Sequence, residues 1–299
     1  MQKFLLIFCF MILSFANVHA DEAPIVDIQT NFGIITVQLA PDKAPITVKN
    51  FLTYVNEGFY SNTLFHRVIP RFMIQGGGIS TALVQKPTHA PIKLESANGL
   101  LNVRGTIAMA RTNEPDSATS QFFINTVDNS NNFEPPGYAV FGNVINGMEV
   151  VDTISAQTTS GSFPVKPVII HAARVRQAQL AFPDLKPSYA VGDNLQIVAQ
   201  EEVIQRQQVL DLWVGVIAPD GKIIYFSPEN PTFFSGVAKP FKRSVAINET
   251  RNVIAEFKIP PGITGKWTLV AIFNAPGSDI SNLALSLRSN ISVANIEVH

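Results

Sequence analysis

The chain has 299 residues, 46% of them hydrophobic and 15% charged, so it holds ample apolar material for packed cores and is not a disordered polymer. That length suits two domains better than one. Its 22 Lys and Arg against 23 Asp and Glu leave a net charge of -1, which excludes a general electrostatic pull toward nucleic acid or anionic lipid.

Residues 1–20 read as a secretory signal peptide. Lys3 supplies the positive start, and Phe4 to Phe15 is nearly all apolar but too short to span a bilayer. Val18-His19-Ala20 then predicts cleavage after Ala20. The single cysteine, Cys9, lies inside this segment and lacks the small preceding residue that a lipid-anchored cysteine needs. The mature chain is therefore expected in the periplasm or secreted, without disulfides and without stable membrane insertion.

Ile25 to Thr30 and Ile34 to Leu39 are β-rich runs joined by Asn31-Phe32-Gly33, a predicted hairpin. Val48, Phe51, Leu52 and Val55 follow at helical offsets, with Pro45 suited to the first turn and Gly58 to the end. Short strands are then predicted at Leu64 to Ile69, Phe72 to Gln75, Gly105 to Ala110, Gln121 to Asn125 and Ala139 to Ile145. Gly147 to Ile154 reads as a second helix and Val168 to Val175 as a closing strand. Many short strands with only two helices predict a mainly β fold, a closed antiparallel barrel whose ends the helices plug.

Residues 177–187 contain Pro183 and Pro187 and read as a linker between a domain at 21–176 and another at 188–299. In the second, Leu210, Leu212, Val214 and Val216 alternate with other residues. So do Val253, Ala255, Phe257 and Ile259, and again Trp267, Leu269, Ala271 and Phe273. Period two predicts one buried face for each set, and Pro219-Asp220-Gly221 predicts a turn. A β-sandwich is expected, with a faint resemblance to immunoglobulin-like (Ig-like) modules.

The chemistry concentrates in four stretches. They are Phe65-His66-Arg67-Val68-Ile69-Pro70-Arg71-Phe72-Met73-Ile74-Gln75-Gly76-Gly77, Gly105 to Arg111, Ser117 to Asn125, and Tyr138-Ala139-Val140-Phe141-Gly142. In this order, within a span from about Ile25 to Arg176, they resemble the cyclophilin family, above all its bacterial exported members. The resemblance implies a cyclophilin-like barrel and a peptidyl-prolyl cis-trans isomerase acting on proline-containing polypeptides. It implies Arg67 as the catalytic group, with Gln75 holding it. It also implies Phe72, Met73, Phe123 and one further aromatic as the proline pocket, and Ala110, Arg111 and Gln121 as contacts for the peptide backbone. His66 stands at the periphery of that site.

Three positions depart from common family patterns. Arg111 stands where many members carry asparagine, and Tyr138 where eukaryotic members carry histidine. Phe133 stands where many eukaryotic members carry tryptophan, which keeps an apolar wall but removes an indole N–H donor. In the family that change accompanies weak cyclosporin binding, so weak binding is expected here.

No cofactor is expected. The chain's 5 histidines are scattered without zinc-type spacing, so no metal site is expected. A non-catalytic alternative is a module that holds proline segments or acts as a chaperone, recruited through residues 188–299, which would then contact an envelope protein.

Overall fold

The computed structural model describes residues 23–133, 137–204, 208–227, 234–280 and 286–299. The predicted signal peptide, its cleavage point after Ala20 and Cys9 lie outside the described residues.

Strands β1 (Ile25–Thr30) and β2 (Gly33–Leu39) form the predicted hairpin around Asn31-Phe32. Helix α1 (Pro45–Asn56) buries Thr47, Val48, Phe51, Tyr54 and Val55, the face its apolar spacing sets. Its N-cap residue, Ala44, has no side-chain acceptor. Glu95 takes over that role, accepting from the Ile46 and Thr47 amides at 3.1 and 2.8 Å. The Phe51 ring meets Phe122 and Phe141 at 5.6 and 5.1 Å between centroids and ties the helix to the sheet.

The first domain continues through β3 (Thr63–Leu64), β4 (Arg67–Ile69), β5 (Met73–Gly76), β6 (Thr106–Met109), β7 (Phe122–Asn125) and β8 (Val140–Asn146). Helix α2 (Met148–Ser155), the small hairpin β9 (Thr159–Ser160) and β10 (Phe163–Pro164), and β11 (Ile169–Val175) complete it. Gly147 caps α2 at φ 87°, where a side chain would collide with the Ile34 carbonyl.

The result is one nine-stranded sheet, ordered β3-β11-β1-β2-β8-β6-β7-β5-β4, with every pair antiparallel. The mainly β character and two helices match expectation, but the closed barrel does not. The run read as one strand from Leu64 to Ile69 breaks at Phe65-His66. Its halves take different partners, β3 pairing with β11 and β4 with β5. Consecutive pieces of chain thus become the two end strands of a curled, open half-barrel.

Strand alternation sorts this sheet into two faces. Val68, Ile74, Ile124 and Ile107 lie in register across β4, β5, β7 and β6 and are fully buried in the main core. Arg67, Gln75, Phe123 and Ala108 form the adjacent row on the outer face.

The second domain comprises β12 (Ala178–Ala181), β13 (Ser188–Tyr189), β14 (Asn194–Ile204), β15 (Leu210–Ile217), β16 (Ile223–Phe226) and β17 (Phe234–Ser235). It continues with β18 (Lys242–Val245), β19 (Arg251–Lys258), β20 (Gly265–Asn274) and β21 (Ser292–Val298). One sheet runs β12-β14-β19 and the other β13-β21-β20-β15-β16-β17, with β18 also on β15. A single apolar cluster takes Leu195 and Ile197 from the first and Leu212, Val214, Leu269, Ala271 and Phe273 from the second.

Three sequence expectations change here. Ala178–Ala181, inside the span read as a linker, is a strand paired to β14, so the prolines that follow it do not mark a free tether. Val253 is 52% exposed while Ile254 is buried, because a bulge opposite Ile197 and Val198 slips the register of β19. β15 is buried on both faces rather than one. Trp213 on its outer face packs with Ile272 and Leu287, and Ile34 of β2 covers them. The second domain therefore docks on the outside of the β11-β1-β2 portion of the half-barrel. Beside that contact Arg176 pairs with Asp27, Nε to Oδ2 at 2.9 Å, and the Gln177 amide donates to the Arg288 carbonyl at 2.8 Å.

Candidate active site

The outer row of the sheet holds the polar core of the site. Arg67 and Gln75 face each other across β4 and β5, and Gln75 faces Phe123 of β7. Arg67 Nη1 donates to Gln75 Oε1 at 3.1 Å, and Gln75 Nε2 donates to Gln121 Oε1 at 2.9 Å. Two amides thus hold an exposed guanidinium by one nitrogen, leaving its other N–H donors for a ligand. Gln121 is itself fixed from two sides. Its carbonyl accepts from the Ala110 amide at 2.9 Å. Gly78 leaves it room, since a Cβ there would fall 2.5 Å from Gln121 Cγ.

Beside the guanidinium lies a cleft of ≈ 410 Å³. Arg67, Gln75 and Arg111 make its polar rim, and Phe72, Met73, Phe123, Phe133 and Tyr138 its apolar floor and walls. The rings interlock. Phe133 lies 5.7 Å from Phe72, 5.9 Å from Phe123 and 4.7 Å from Tyr138, centroid to centroid. Met73 and Phe123 are nearly fully buried, so the floor is rigid, with dimensions set by packing.

Arg111 does more than line the rim. Its Nε and Nη2 donate to the Gly137 carbonyl at 3.0 and 2.8 Å, and its guanidinium stacks 4.7 Å from the Tyr138 ring centroid. The arginine that departs from the family pattern thereby fastens the Gly137-Tyr138 segment over the cleft. Its Nη1 donates to the Thr112 carbonyl at 2.8 Å.

Most residues expected at the site converge there: Arg67, Phe72, Met73, Gln75, Ala110, Arg111, Phe123, Phe133 and Tyr138 all line the cleft. Gln121 stands one hydrogen bond behind it. His66 is not among the lining residues; it is half-buried, and its Nδ1 has no hydrogen-bond partner among the described residues. Burial pushes its imidazole below the usual range, and the neighbouring Arg67 charge adds in the same direction against a Leu64 backbone hydrogen bond.

The structure adds residues that sequence reasoning missed. Asn132 lines the cleft. Buried Asn129 donates through Nδ2 to the Phe72 carbonyl and to Asn125 Oδ1, both at 2.8 Å, and so anchors the segment carrying Phe133 to the turn carrying Phe72. Asparagines of this kind look like ordinary loop residues in a sequence, and only the three-dimensional network gives them a role. Gly78 ends the run Gly76-Gly77-Gly78, which by itself means little in a sequence and says nothing of Gln121. Among the described residues no group of three or more His, Cys, Asp or Glu side chains is placed to hold a metal.

Comparison with known proteins places this geometry. The family model described as cyclophilin type peptidyl-prolyl cis-trans isomerase matches residues 25–175. A peptidyl-prolyl cis-trans isomerase of Acinetobacter baylyi is 51% identical over 175 residues, covering 55% of this chain and 92% of the relative. Peptidyl-prolyl cis-trans isomerase B of Escherichia coli is 51% identical over 163 residues, covering 51% of this chain and 99% of the relative. Among solved structures, a Cryptosporidium parvum cyclophilin type isomerase with the dipeptide ala-pro is 29% identical. It covers 51% of this chain and 98% of its own, with a TM-score of 0.45.

Proposed function

The chain belongs to the cyclophilin type peptidyl-prolyl cis-trans isomerase family, and from that premise we propose that Arg67 drives rotation of X-Pro bonds in exported polypeptides. Rotation about a peptide bond faces a barrier of roughly 18–20 kcal/mol, because the nitrogen lone pair is delocalised into the carbonyl. Uncatalysed X-Pro exchange takes on the order of tens to hundreds of seconds. Bringing it to milliseconds needs roughly 10⁴–10⁵-fold, or about 5.5–7 kcal/mol of transition-state stabilisation. At the twisted geometry the nitrogen is pyramidal and its lone pair is free to accept a hydrogen bond. A fixed guanidinium aimed at that nitrogen favours the twisted amide over either planar isomer, with no covalent step.

The relay Arg67–Gln75–Gln121 beside an aromatic floor carries this reading. Phe72, Met73, Phe123, Phe133 and Tyr138 receive the proline ring, while the main chain at Ala110 and Arg111 meets the residues before it. His66 stays at the periphery of the cleft, outside its lining. The test is a protease-free isomerisation assay on the full chain. Turnover well above background that collapses in Arg67→Ala is expected; background-level wild-type rates, or full activity in Arg67→Ala, reject the proposal. Phe133 offers no indole N–H, so cyclosporin should bind weakly, and Phe133→Trp should tighten it by roughly 10-fold, about one hydrogen bond. Calorimetric titration reads both.

The predicted signal peptide at residues 1–20 supports an exported location, the periplasm or the exterior. The two sheets of residues 178–299 sharing one core support an Ig-like β-sandwich. Because that domain docks away from the cleft, it is suited to recruit an envelope protein without blocking the site. Client capture that survives Arg67→Ala but is lost on changing exposed second-domain residues would favour the non-catalytic reading.

A further inference from the structure

A second concavity lies inside the second domain, between its two sheets. It measures ≈ 260 Å³ and every residue lining it is apolar. Leu195 and Phe257 come from one sheet and Phe226, Trp267 and Leu269 from the other, with Ile263 at the mouth. Packed interiors hold few voids larger than a water molecule. An apolar cavity of about 150 Å³ already stays dry and takes up benzene. Water has no polar partner to hold it in such a space, and a peptide backbone entering it would strand its amides.

The neighbouring edge also argues against an added polypeptide strand. β19 carries a bulge, and Arg251, Glu256 and Lys258 stand exposed along it, features that discourage strand pairing. At the mouth, Phe257, Ile263 and Trp267 are only partly buried.

We infer that this cavity binds a single flexible alkyl chain, the chemistry of a medium-chain fatty acid or of an acyl chain drawn from a bilayer lipid. The chain fills the space between the sheets, and its polar head stays in solvent at the mouth beside Phe257, Ile263 and Trp267. Such a ligand would let the second domain tether an isomerase to lipid material independently of Arg67.

Trp267 lines the cavity and is one of only 2 tryptophans, so Trp213→Phe makes it the sole reporter in the full chain. That protein is titrated with decanoate below its micelle threshold, with decanol, with phosphatidylglycerol vesicles and with an apolar peptide. A saturable shift in Trp267 emission with decanoate is expected, weakened at least 10-fold by Ile263→Phe or Val216→Phe, either of which fills the space. Isomerase turnover should be unchanged. A shift with vesicles identifies bilayer lipid as a source, and a shift with decanoate alone identifies the free acid. The inference is overturned by the absence of any saturable shift with decanoate and vesicles, by equal shifts in the filled variants, or by a response to the peptide alone.

Discussion

Both domains use the same device, the two-residue alternation of a strand, but they treat the outer face in opposite ways. Across β4, β5, β7 and β6 the inward row is aliphatic, and the outward row carries Arg67 and Gln75, which reach solvent, beside Phe123, which floors the cleft. Along β15 and β20 the inward rows are also apolar, but the outward residues Trp213 and Ile272 are covered by Ile34 of the first domain. The exposed face has its polar atoms joined in a relay. The covered face leaves Trp213 Nε1 and Gln29 Oε1, the latter opposite Ile34, buried without hydrogen-bond partners among the described residues. A face organised for ligand hydrogen bonds and a face organised for contact area are thus distinguishable by how their polar groups are satisfied.

Breaking the polar relay should have the largest effect. Arg67→Ala should cost roughly 10²–10³-fold in kcat/KM, the scale of losing a preorganised transition-state donor. Because the side chain is exposed, stability should move by less than about 0.5 kcal/mol. Loosening the relay is next. Gln75→Leu, and Gly78→Ala through displacement of Gln121, should each reduce kcat/KM by roughly 5–10-fold, about 1–1.5 kcal/mol. Steady-state kinetics beside a melting curve checks both, and the loss should fall on kcat more than on KM.

The covered face should respond in the reverse sense. Ile34→Asp should destabilise the chain by about 1–2 kcal/mol through lost burial and a poorly solvated charge, while turnover at the cleft stays within about 2-fold. Thermal unfolding and the isomerisation assay on one preparation separate these effects.

The smallest effect concerns pH. Burial holds His66 below its ordinary value of 6.5, so the folded state resists a proton that the unfolded state accepts. Its contribution to stability is complete above that value and declines as pH falls from 6.5 toward the folded pKa. A melting temperature that drops between neutral and mildly acid pH should drop less in His66→Gln.

The sequence made the cleft legible because its residues sit in long local motifs. Arg67 and Gln75 are close enough in the chain to be read as two sides of one hairpin. What escaped depends on pairing between distant segments. In one unbroken strand from Leu64 to Ile69, Phe65 and Arg67 would share a side; the break at Phe65-His66 sends Phe65 into the core with Val68 and leaves Arg67 outside. The same break opens the barrel. In the second domain a bulge buries Ile254 in place of Val253, and no local pattern announces a bulge. The burial of Trp213 on an outer face needed the other domain to be present.

The central claim is that Arg67 favours a twisted amide over a bound planar one, and equilibrium exchange NMR on a single Ala-Pro peptide tests it most directly. In one sample it reads both peptide affinity and the cis-trans exchange rate. The account predicts that Arg67→Ala keeps affinity within about 3-fold while enzyme-driven exchange falls by roughly 10²–10³-fold. Exchange that persists at the wild-type rate in Arg67→Ala, or that falls only in proportion to lost binding, would contradict it.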